Sequence, residues 1–564
     1  MYTLNVKDRF YNDVSIVETN GLNERTLSID AVKNKLFNKD IFNISENNRI
    51  QIEHSPIRSM VSIPAVLVLE GNKMFGKYKN KKLYKCVPDN REIPIFLVPY
   101  KIKPNFSKKL TNKYIIFKYR SWEHKHPWGV IEQTIGDVSI LSNFYEYQLY
   151  CKSLYVPNQD FTKKTRRKIR EKTELEHIEH MIRVYDVEDR RVTHNIISID
   201  PKDSKDFDDA FSVMETKSNF ILSIYISNVS MWLDCLDLWD TFTDRVSTIY
   251  LPDRKRSMLP TILSDTLCSL QEGRDRFAFT LDLIIEKNTF EILDTHISNT
   301  VINVDKNLRY DTDEQGSNII YKKCYELIKN MNNKYNYMKT IQNSHDFIAY
   351  IMILMNYICA KKMKAKEIGI YRSVKYNTTT VIPNDVCDEM KKFLKMWNST
   401  GGSYLKYENM ESHDILDLDA YIHITSPIRR LVDLLNIIQL QDSLGIFKFN
   451  AKMKDFYNRW TNDLSFEYIN VTMKSTRRVQ NDCSLLDKCT RDASVLLKEY
   501  NGFIFNKELR SDNMYQYTIF IKEMGMMNRI VSQRDMCNYS THACKLHLFM
   551  DEVKLKQKVR VSLC

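Results

Sequence analysis

The chain has 564 residues, of which 83 are Lys or Arg and 71 are Asp or Glu, so its formal net charge at pH 7 is +12. This length allows two to four domains, and the basic excess favours a polyanionic partner such as nucleic acid over a merely soluble basic surface. The 12 cysteines form no Cys-x-x-Cys pair and no zinc-like Cys/His spacing, which excludes the usual zinc modules and favours a reducing compartment over a disulfide scaffold.

The sequence predicts no membrane-spanning or exported segment. The first residues lack the apolar core of a signal peptide, and the longest apolar run, 347–360, is too short to span a bilayer and contains Asn356. That run is typical of a buried helix. We therefore expect a soluble intracellular protein, in the cytoplasm or the nucleus, without membrane contact.

The first 160 residues have the cadence of β-structure. Residues 1–56 show no strong period, whereas from 57 to 160 short strands alternate with turns, most clearly at 63–69, 93–100 and 114–119. This pattern predicts an OB-fold or cold-shock-type barrel over 57–160. The Lys- and Arg-rich run at 161–172 fits a solvated linker or helix face as well as it fits a phosphate-binding surface.

The most informative segment is 200–209, which carries Asp200, Asp206, Asp208 and Asp209. Residues 194–200 are typical of a strand, and 220–227 alternate in polarity with a period of two, so the four carboxylates lie on a loop between two strands. Such carboxylates can converge, and oxygen ligands suit Mg²⁺ or Mn²⁺ rather than Zn²⁺. A solvated acidic turn is the alternative, and the spacing and the missing central Gly exclude an EF-hand.

The remainder of the chain is predicted to be a mixed α/β block followed by strands. Helices are expected at 322–332 and 344–365, and alternation at 515–521 and 559–563 predicts a second OB-type barrel over 496–564.

A helix is also expected to begin near residue 426. Ser426 and Pro427 resemble an N-cap and a first helical residue. Arg429 would then lie in the first turn, where free N–H groups and the helix dipole favour an anion. Arg430 would lie about 100° further round the helix, where an ion pair with Asp433 is the simplest expectation.

The motifs, taken in order, resemble the RNB family, the ribonuclease II and ribonuclease R type 3′→5′ exoribonucleases. The resemblance rests on segments 185–191, 200–209, 226–230, 247–260, 263–270 and 421–430. Two further segments, 86–94 and 122–137, are similar to the branch that contains the catalytic subunit of the eukaryotic RNA exosome. The chain is too short to hold the PIN endonuclease domain of that branch as well, so an exonuclease-only protein is expected.

The resemblance implies an α+β fold, with an RNB catalytic domain over 161–495 flanked by OB-type barrels, the last of which would bind RNA. Residues 1–56 would be a shortened first cold-shock barrel. It also implies a hydrolytic enzyme of RNA turnover or processing that degrades single-stranded RNA to nucleoside 5′-monophosphates. Mg²⁺, with Mn²⁺ as an alternative, would be the cofactor, held as two ions about 4 Å apart. A monomer is expected, and an exosome-like assembly is one candidate partner.

The resemblance also assigns roles to single residues. Four aspartates would bind metal, and one of them would also be catalytic together with an arginine: Asp200, Asp206, Asp209, Asp208 and Arg429. Four further residues would contact RNA, the first by stacking on the terminal nucleotide: Tyr250, Arg254, Arg372 and Arg430. Lys255 and Arg256 could contact the RNA backbone or lie on a solvated turn.

Two departures from the family pattern lie in the RNB region, and the short N-terminal region is a third, so docking to an exosome is not assumed. Ala349 and Tyr350 replace acidic residues that usually precede the central helix motif, and Ile437-Ile438 replaces a His-Arg pair. Two alternatives therefore stay open. One is a catalytically impaired protein of the same fold that binds RNA, and the other is a metal-dependent endonuclease.

Overall fold

The structure is a computed structural model that describes residues 1–18, 29–45, 49–102, 110–377, 382–384 and 386–564. The chain divides into two compact units. One contains residues 1–155, 251–254 and 477–564, and the other contains 156–250 and 255–476. The domain limits expected from the sequence, at 56, 160 and 495, stay predictions.

The N-terminal segment is a small antiparallel sheet rather than an irregular tail. Its strands are β1 (Tyr2–Val6), β2 (Val14–Glu18), β3 (Ile41–Ile44) and β4 (Ile50–His54), in the order β2-β1-β3-β4. Leu4, Val6, Ile16 and Phe42 form its core. A short helix, α1 (Pro56–Ser59), follows.

The barrel predicted over 57–160 is present. Its strands are β5 (Ile63–Leu67), β6 (Lys77–Tyr78), β7 (Lys81–Pro88), β8 (Phe96–Tyr100), β9 (Lys113–Ser121) and β10 (Trp128–Asp137). The pairing runs β5-β9-β10-β8-β7 and returns from β7 to β5, so the sheet closes on itself. Closure leaves these five strands without a free edge, which is how small antiparallel barrels satisfy their backbone groups.

Three helices connect the barrel to the central region. They are α2 (Leu141–Cys151), α3 (Gln159–Ile169) and α4 (Glu174–Val184). The basic run at 161–172 lies mostly on α3, where Phe161 and Thr165 are buried and Lys163, Arg166 and Arg167 are exposed. The run thus forms a helix face, and phosphate binding by it stays a prediction.

A seven-stranded mixed sheet organises the central region. Its strands are β11 (Glu188–Asp189), β12 (Ile197–Asp200), β13 (Asp209–Glu215), β14 (Asn219–Ser227), β17 (Asp275–Glu286), β18 (Ile292–Asn303) and β19 (Lys306–Arg309), and a two-stranded hairpin, β15 (Ile249–Tyr250) and β16 (Lys255–Arg256), lies between β14 and β17 in sequence. The order is β11-β18-β17-β14-β13-β12-β19, with β12 parallel to β19. Asp200 and Asp209 thus sit at the end of one strand and the start of its neighbour.

The α-helices between residues 229 and 491 complete this part of the chain. They are α5 (Val229–Cys235), α6 (Asp313–Ser317), α7 (Ile319–Tyr335), α8 (Ser344–Lys364), α9 (Asp388–Trp397), α10 (Leu431–Leu444), α11 (Ala451–Trp460) and α12 (Asp463–Arg491), with a hairpin of β20 (Ile370–Ser373) and β21 (Ser403–Lys406) between α8 and α10. One core joins sheet residues such as Ile224 and Leu281 to Leu327 of α7 and Leu354 of α8. The predicted helix 344–365 is confirmed. It is N-capped by Asn343, whose side chain accepts from the Asp346 N–H at 2.9 Å.

The C-terminal region returns to β-structure, as the alternation predicts. After α13 (Ser494–Leu497) come β22 (Tyr500–Leu509), β23 (Tyr515–Ile521), β24 (Met526–Ser532), β25 (Thr541–Asp551) and β26 (Lys556–Leu563), in the order β24-β23-β22-β25-β26. The two edge strands approach each other, since the Asn528 side chain donates to the Val559 carbonyl at 3.5 Å. This is the curvature of a small barrel. No helix in the part of the chain described by the structure is long and apolar enough to cross a bilayer.

Candidate active site

The loop between β12 and β13 holds the four aspartates, and its backbone is anchored from two sides. Arg309 donates to the Pro201 carbonyl at 3.1 Å. Ser269 donates to the Lys205 carbonyl at 2.8 Å and accepts from the Phe207 N–H at 3.0 Å. These bonds hold the backbone of a loop in which aspartates outnumber lysines.

All four aspartates line one cavity of about 930 Å³. A volume of this size lies in the range of ligand-binding clefts. The other polar and aromatic residues that line it are Lys202, Asp203, Ser204, Lys205, Tyr250, Lys255, Asp265, Tyr310, Asn356, Tyr421, His423, Thr425, Ser426, Arg429 and Arg430. The acidic loop and the second motif, the segment 421–430, therefore line the same cavity.

Asp208 and Arg429 form an ion pair at the base of this cavity. The Arg429 Nε donates to Asp208 Oδ2 at 3.0 Å, and the Ile428 N–H donates to Oδ1 at 2.9 Å. The Asp208 side chain is only 3% exposed. Burial raises the pKa of Asp208 to about 7, although Arg429 and the Ile428 N–H lower it. The carboxylate therefore depends on these two donors to stay ionised near neutral pH.

Asp206 is also held by two donors. The Lys255 ammonium lies 2.9 Å from its Oδ1, and the Tyr250 hydroxyl donates to its Oδ2 at 3.0 Å. Lys255 is at the same time 2.9 Å from Asp265. Tyr250 and Lys255 stand opposite each other on the β15–β16 hairpin, so one small element supplies both contacts.

Asp200 and Asp209 form no ion pair with a Lys or Arg side chain among the residues that the structure describes. Burial, and then the charge of Asp209, raise the pKa of Asp200 well above its usual range. Burial raises the pKa of Asp209 to about 6, against the lowering effect of Arg429. The Oδ2 atom of Asp200 is buried and makes no hydrogen bond. An unbonded buried carboxylate oxygen is costly, and a cation is the ordinary means of satisfying it.

This chemistry fits a hard divalent cation, although the spacing does not yet form a metal site. Within the described ranges, no group of three or more acidic, His or Cys side chains is arranged to hold one ion. The expectation that all four aspartates bind metal stays a prediction. Asp206 and Asp208 already have Lys255 and Arg429 as neighbours.

The helix predicted to have Ser426 as its N-cap and Pro427 as its first residue begins four residues later, at Leu431, so that prediction was wrong. α10 starts at Leu431, and residues 429–431 pair instead with 246–248. The Thr248 N–H donates to the Arg429 carbonyl at 3.0 Å, and the Leu431 N–H donates to the Val246 carbonyl at 2.9 Å. Strand-like pairing at this point is incompatible with helical φ and ψ, so Arg429 lies in the turn before the helix rather than in its first turn.

The predicted ion pair of Arg430 with Asp433 is present at 2.9 Å. Asp433 also accepts from the Ser426 N–H at 2.8 Å and so closes the turn that carries Arg429. Arg430 lines the cavity as well. Its place in RNA contact stays a prediction.

Two further residues predicted to contact RNA do not line the cavity. The Arg254 side chain is 72% exposed and lies 4.0 Å from Asp253. Arg372 stacks on the ring of Tyr404, with 5.0 Å from its guanidinium carbon to the ring centroid. A Cβ at Gly402 would lie 2.1 Å from Arg372 Nη2, so only glycine leaves room for this stacking. The Tyr404 hydroxyl in turn bonds to Nδ1 of His423, which does line the cavity.

The two departures from the family pattern fall away from the acidic loop. Ile348, Met352 and Asn356, four residues apart on α8, form the face of that helix that lines the cavity, whereas Tyr350 is fully buried. Ile437 and Ile438 are also fully buried, each in a different core cluster. In this chain these positions serve packing.

Among the cavity residues that were not predicted from the sequence as site residues, three have informative surroundings: Tyr310, His423 and Asp265. Tyr310 directly follows β19, whose parallel pairing with β12 sets it beside Asp200, and its pKa is raised by burial and by the charges of Asp209 and Asp200. His423 has its pKa well below the usual value because of burial and the nearby Arg430 and Arg372. Asp265 lies within the segment 263–270, and the sequence does not reveal its contact with Lys255.

Comparison with known proteins follows from this geometry. The segment 188–318 matches the family model described as RNB domain. This match includes the acidic loop, and it confirms the resemblance to the RNB family; the finer placement near the exosome branch stays a prediction.

Relatives and solved structures agree with this assignment. Ribonuclease R of Mycoplasmopsis pulmonis is 33% identical over 159 residues, which is 28% of this chain and 22% of that relative. The chain thus matches about a fifth of the length of that curated relative. The apo form of Mycoplasma genitalium RNase R covers 99% of this chain and 100% of its own, with a TM-score of 0.70 at 16% identity.

Two other solved structures have similar folds, one in complex with RNA and one described as a pseudonuclease. M. genitalium RNase R in complex with ribose methylated single-stranded RNA has a TM-score of 0.68 at 14% identity, covering all of both chains. Yeast Ssd1, described as a pseudonuclease, has a TM-score of 0.58 at 14% identity, covering 94% of this chain and 78% of its own. These likenesses establish the α+β fold, and the predicted fold class is confirmed.

Proposed function

We propose that this protein is a metal-dependent, hydrolytic 3′→5′ exoribonuclease that degrades single-stranded RNA to nucleoside 5′-monophosphates. The observation that carries the proposal is the meeting of four aspartates and Arg429 in one cavity of an RNB domain. Phosphodiester hydrolysis needs an activated water and neutralisation of charge on the phosphate. An acidic wall facing a guanidinium is suited to both tasks.

Asp200 and Asp209 are the residues best suited to hold a divalent cation. Their carboxylates raise each other's cost of ionisation, and Asp200 has an oxygen without a hydrogen bond. Oxygen donors favour Mg²⁺ or Mn²⁺. When bound, such an ion would supply water activation and charge neutralisation at the phosphate. Asp206 would join this set, and the finer division of roles among the aspartates belongs to the proposal.

Arg429 is proposed to bind the phosphate at the reacting end. Its Nε donates to Asp208 and its Nη2 donates to the Ser426 hydroxyl at 2.8 Å. These two bonds orient the planar group, and a guanidinium has five N–H donors, so others are left for phosphate oxygens. Asp208 in this proposal orients the arginine and takes part in the chemical step.

Tyr250 is proposed to stack on the base at the 3′ end. Its side chain lines the cavity and is 43% exposed, while its hydroxyl is held by Asp206. A ring fixed at its far end offers a face to any base, and such stacking tolerates all sequences. The RNA complex of M. genitalium RNase R supports RNA as the substrate class, and Arg254, Arg372 and Arg430 remain proposed RNA contacts.

The test is a digestion that reports polarity. The RNA carries a 5′ label, a structured 5′ part and a single-stranded 3′ tail, and Mg²⁺ is added. We expect shortening from the 3′ end, and no shortening with Asp208→Asn or Arg429→Ala. A circular RNA of the same sequence is the matched substrate control. Cleavage of the circle would indicate an endonuclease and would contradict the proposal.

A second candidate is an RNA-binding protein without catalytic activity. It is favoured by one observation, that Asp206 and Asp208 already pair with Lys255 and Arg429. The same digestion separates the candidates. Wild-type protein that binds the tailed RNA and leaves it intact with Mg²⁺ and with Mn²⁺ would support the second.

A further inference from the structure

Lys255 is a cation fixed inside the acidic cavity. Its Nζ lies 2.9 Å from an oxygen of Asp206 and 2.9 Å from an oxygen of Asp265. The Lys255 side chain is 21% exposed, so the ammonium is drawn into the cavity rather than into solvent. Asp265 lies in the helical turn Leu263–Leu267, and its carboxylate also accepts from the Ser264 hydroxyl. Two separate elements therefore hold one ammonium.

The contacts divide the four aspartates of the loop into two kinds. In Asp206 and in Asp208, one carboxylate oxygen accepts from a cationic side chain and the other oxygen accepts from a second, uncharged donor. Within the described part of the chain, Asp200 and Asp209 have no cationic side chain bonded to them, and Asp200 keeps a buried oxygen without a hydrogen bond. A divalent ion can approach Asp200 and Asp209 without displacing a cationic side chain, whereas at Asp206 it meets Lys255.

We propose that the Lys255 ammonium competes with the divalent cation for Asp206, and that Asp265 is the carboxylate that retains Lys255 when the cation takes Asp206. The proposal rests on the proposed metal-dependent function. Lys255 and Asp265 are in this account positioning residues. They decide whether the cation is held by the Asp200–Asp209 pair alone or by that pair with Asp206.

Removal of Lys255 and removal of Asp265 should change the affinity for the cation in opposite directions. Lys255 and a cation seek the same lone pairs of Asp206, so removal of the ammonium frees that ligand. Asp265 gives Lys255 a partner after it leaves Asp206. Without Asp265 the ammonium would be left unpaired in a confined site, and cation binding would be opposed more strongly.

The experiment measures Mn²⁺ binding to the full chain without RNA, from the electron paramagnetic resonance signal of free Mn²⁺. We expect Lys255→Met to tighten Mn²⁺ binding about tenfold or more, because it removes a positive charge that lies close to the ligand oxygens of Asp206. We expect Asp265→Asn to weaken it about threefold or more. The matched control is Lys205→Met, which removes a positive charge from another lysine of the same cavity. It should change the affinity less than about twofold, because the Lys205 side chain is exposed.

The outcomes separate this inference from the proposed function. If wild type binds Mn²⁺ and Lys255→Met behaves like Lys205→Met, the competition is wrong while the metal-dependent function stands. If Asp265→Asn tightens binding, the retaining role of Asp265 is wrong. If neither wild type nor Lys255→Met binds Mn²⁺, both proposals fail. Binding by Lys255→Met and not by wild type would support the competition, and Asp265→Asn keeps it testable if Lys255→Met does not fold.

Discussion

Asp208 and Arg429 stand 221 residues apart in the chain, yet Oδ2 of the carboxylate lies 3.0 Å from Nε of the guanidinium. The contact exists because the Ile428 N–H donates to the same carboxylate and the Arg429 carbonyl accepts from the Thr248 N–H. Arg429 is thus fixed by its backbone on both sides. The pair joins the acidic loop to the second motif, and the proposed chemistry depends on it.

The first prediction is that Asp208 and Arg429 act as one unit. Asp208→Asn and Arg429→Ala should each lower the single-turnover rate by about 100-fold or more, the scale of losing a preorganised charged donor. The double variant should be no slower than the slower single variant, because partners in one catalytic unit are not additive. The rate of Arg429→Lys should lie between those of wild type and Arg429→Ala, because lysine keeps the positive charge but lacks the planar set of N–H donors of the guanidinium. Rates that multiply in the double variant would contradict the prediction.

The second prediction concerns the ring of Tyr250. In an Asp208→Asn background, Tyr250→Ala should weaken binding of a single-stranded RNA by ~1–3 kcal/mol, whereas Tyr250→Phe should retain most of the affinity because the ring stays. Fluorescence anisotropy with a labelled RNA measures both. Equal losses in the two variants would instead assign the effect to the hydroxyl bond with Asp206.

The third prediction concerns a buried ion pair in the unit that contains both barrels. Asp89 lies 2.7 Å from Lys556 and 3.3 Å from Lys554, and the side chains of Asp89 and Lys556 are 8% and 7% exposed. Lys556→Met should cost about 3–5 kcal/mol of unfolding free energy because it strips a buried carboxylate of its nearest charge. Adding Asp89→Asn should recover part of the loss. Urea unfolding of wild type, Lys556→Met and the double variant measures these stabilities. A double variant less stable than Lys556→Met would contradict the prediction.

The same pair gives a pH dependence with a fixed sign. Burial raises the pKa of Asp89, but Lys556 and Lys554 outweigh it, so the pKa is below the ordinary 3.8. The stabilisation is therefore present above about pH 3.8 and is lost as the pH falls through the lower folded value. Asp89→Asn should abolish that part of the acid sensitivity and leave the rest.

The fourth prediction concerns His413, which is 8% exposed and has no hydrogen bond to its buried Nδ1. Burial, together with the charge of Arg372, lowers its pKa from 6.5 to about 4. The unfolded chain therefore takes up the proton first, and stability should fall as the pH decreases from about 6.5 towards about 4. The full effect is about 3 kcal/mol by linkage. His413→Gln should flatten the difference in unfolding free energy over this interval, and an unchanged slope would contradict it.

Much of the site was predictable because its signal is local. The strand before Asp200, the alternation after residue 219 and the apolar run of α8 each depend on periodicity within a few residues. The motif at 421–430 assigned Arg429 to the same site as Asp208 through the family resemblance, without any information on the distance between them. The closed pairing of β5 with β7 and β9 likewise follows from the spacing of short strands.

The parts that were not predictable depend on contacts between distant segments. The start of α10 moved to Leu431 because residues 429–431 pair with 246–248, and a cap-like Ser426 cannot reveal that competition. Tyr310 reaches the cavity only through the pairing of β12 with β19. The expected monomer and an exosome-like partner concern surfaces that no local pattern describes, and they stay predictions.

The central claim is that this cavity hydrolyses RNA, and the most direct measurement is release of nucleoside 5′-monophosphates. Uniformly labelled single-stranded RNA is incubated with wild type or with Asp208→Asn, with Mg²⁺ or with excess chelator, and the products are separated by chromatography. The account predicts monophosphates from wild type with Mg²⁺ alone, and none with chelator or with Asp208→Asn. Intact RNA bound to the wild-type protein in Mg²⁺ and in Mn²⁺, or undiminished release by Asp208→Asn, would contradict it.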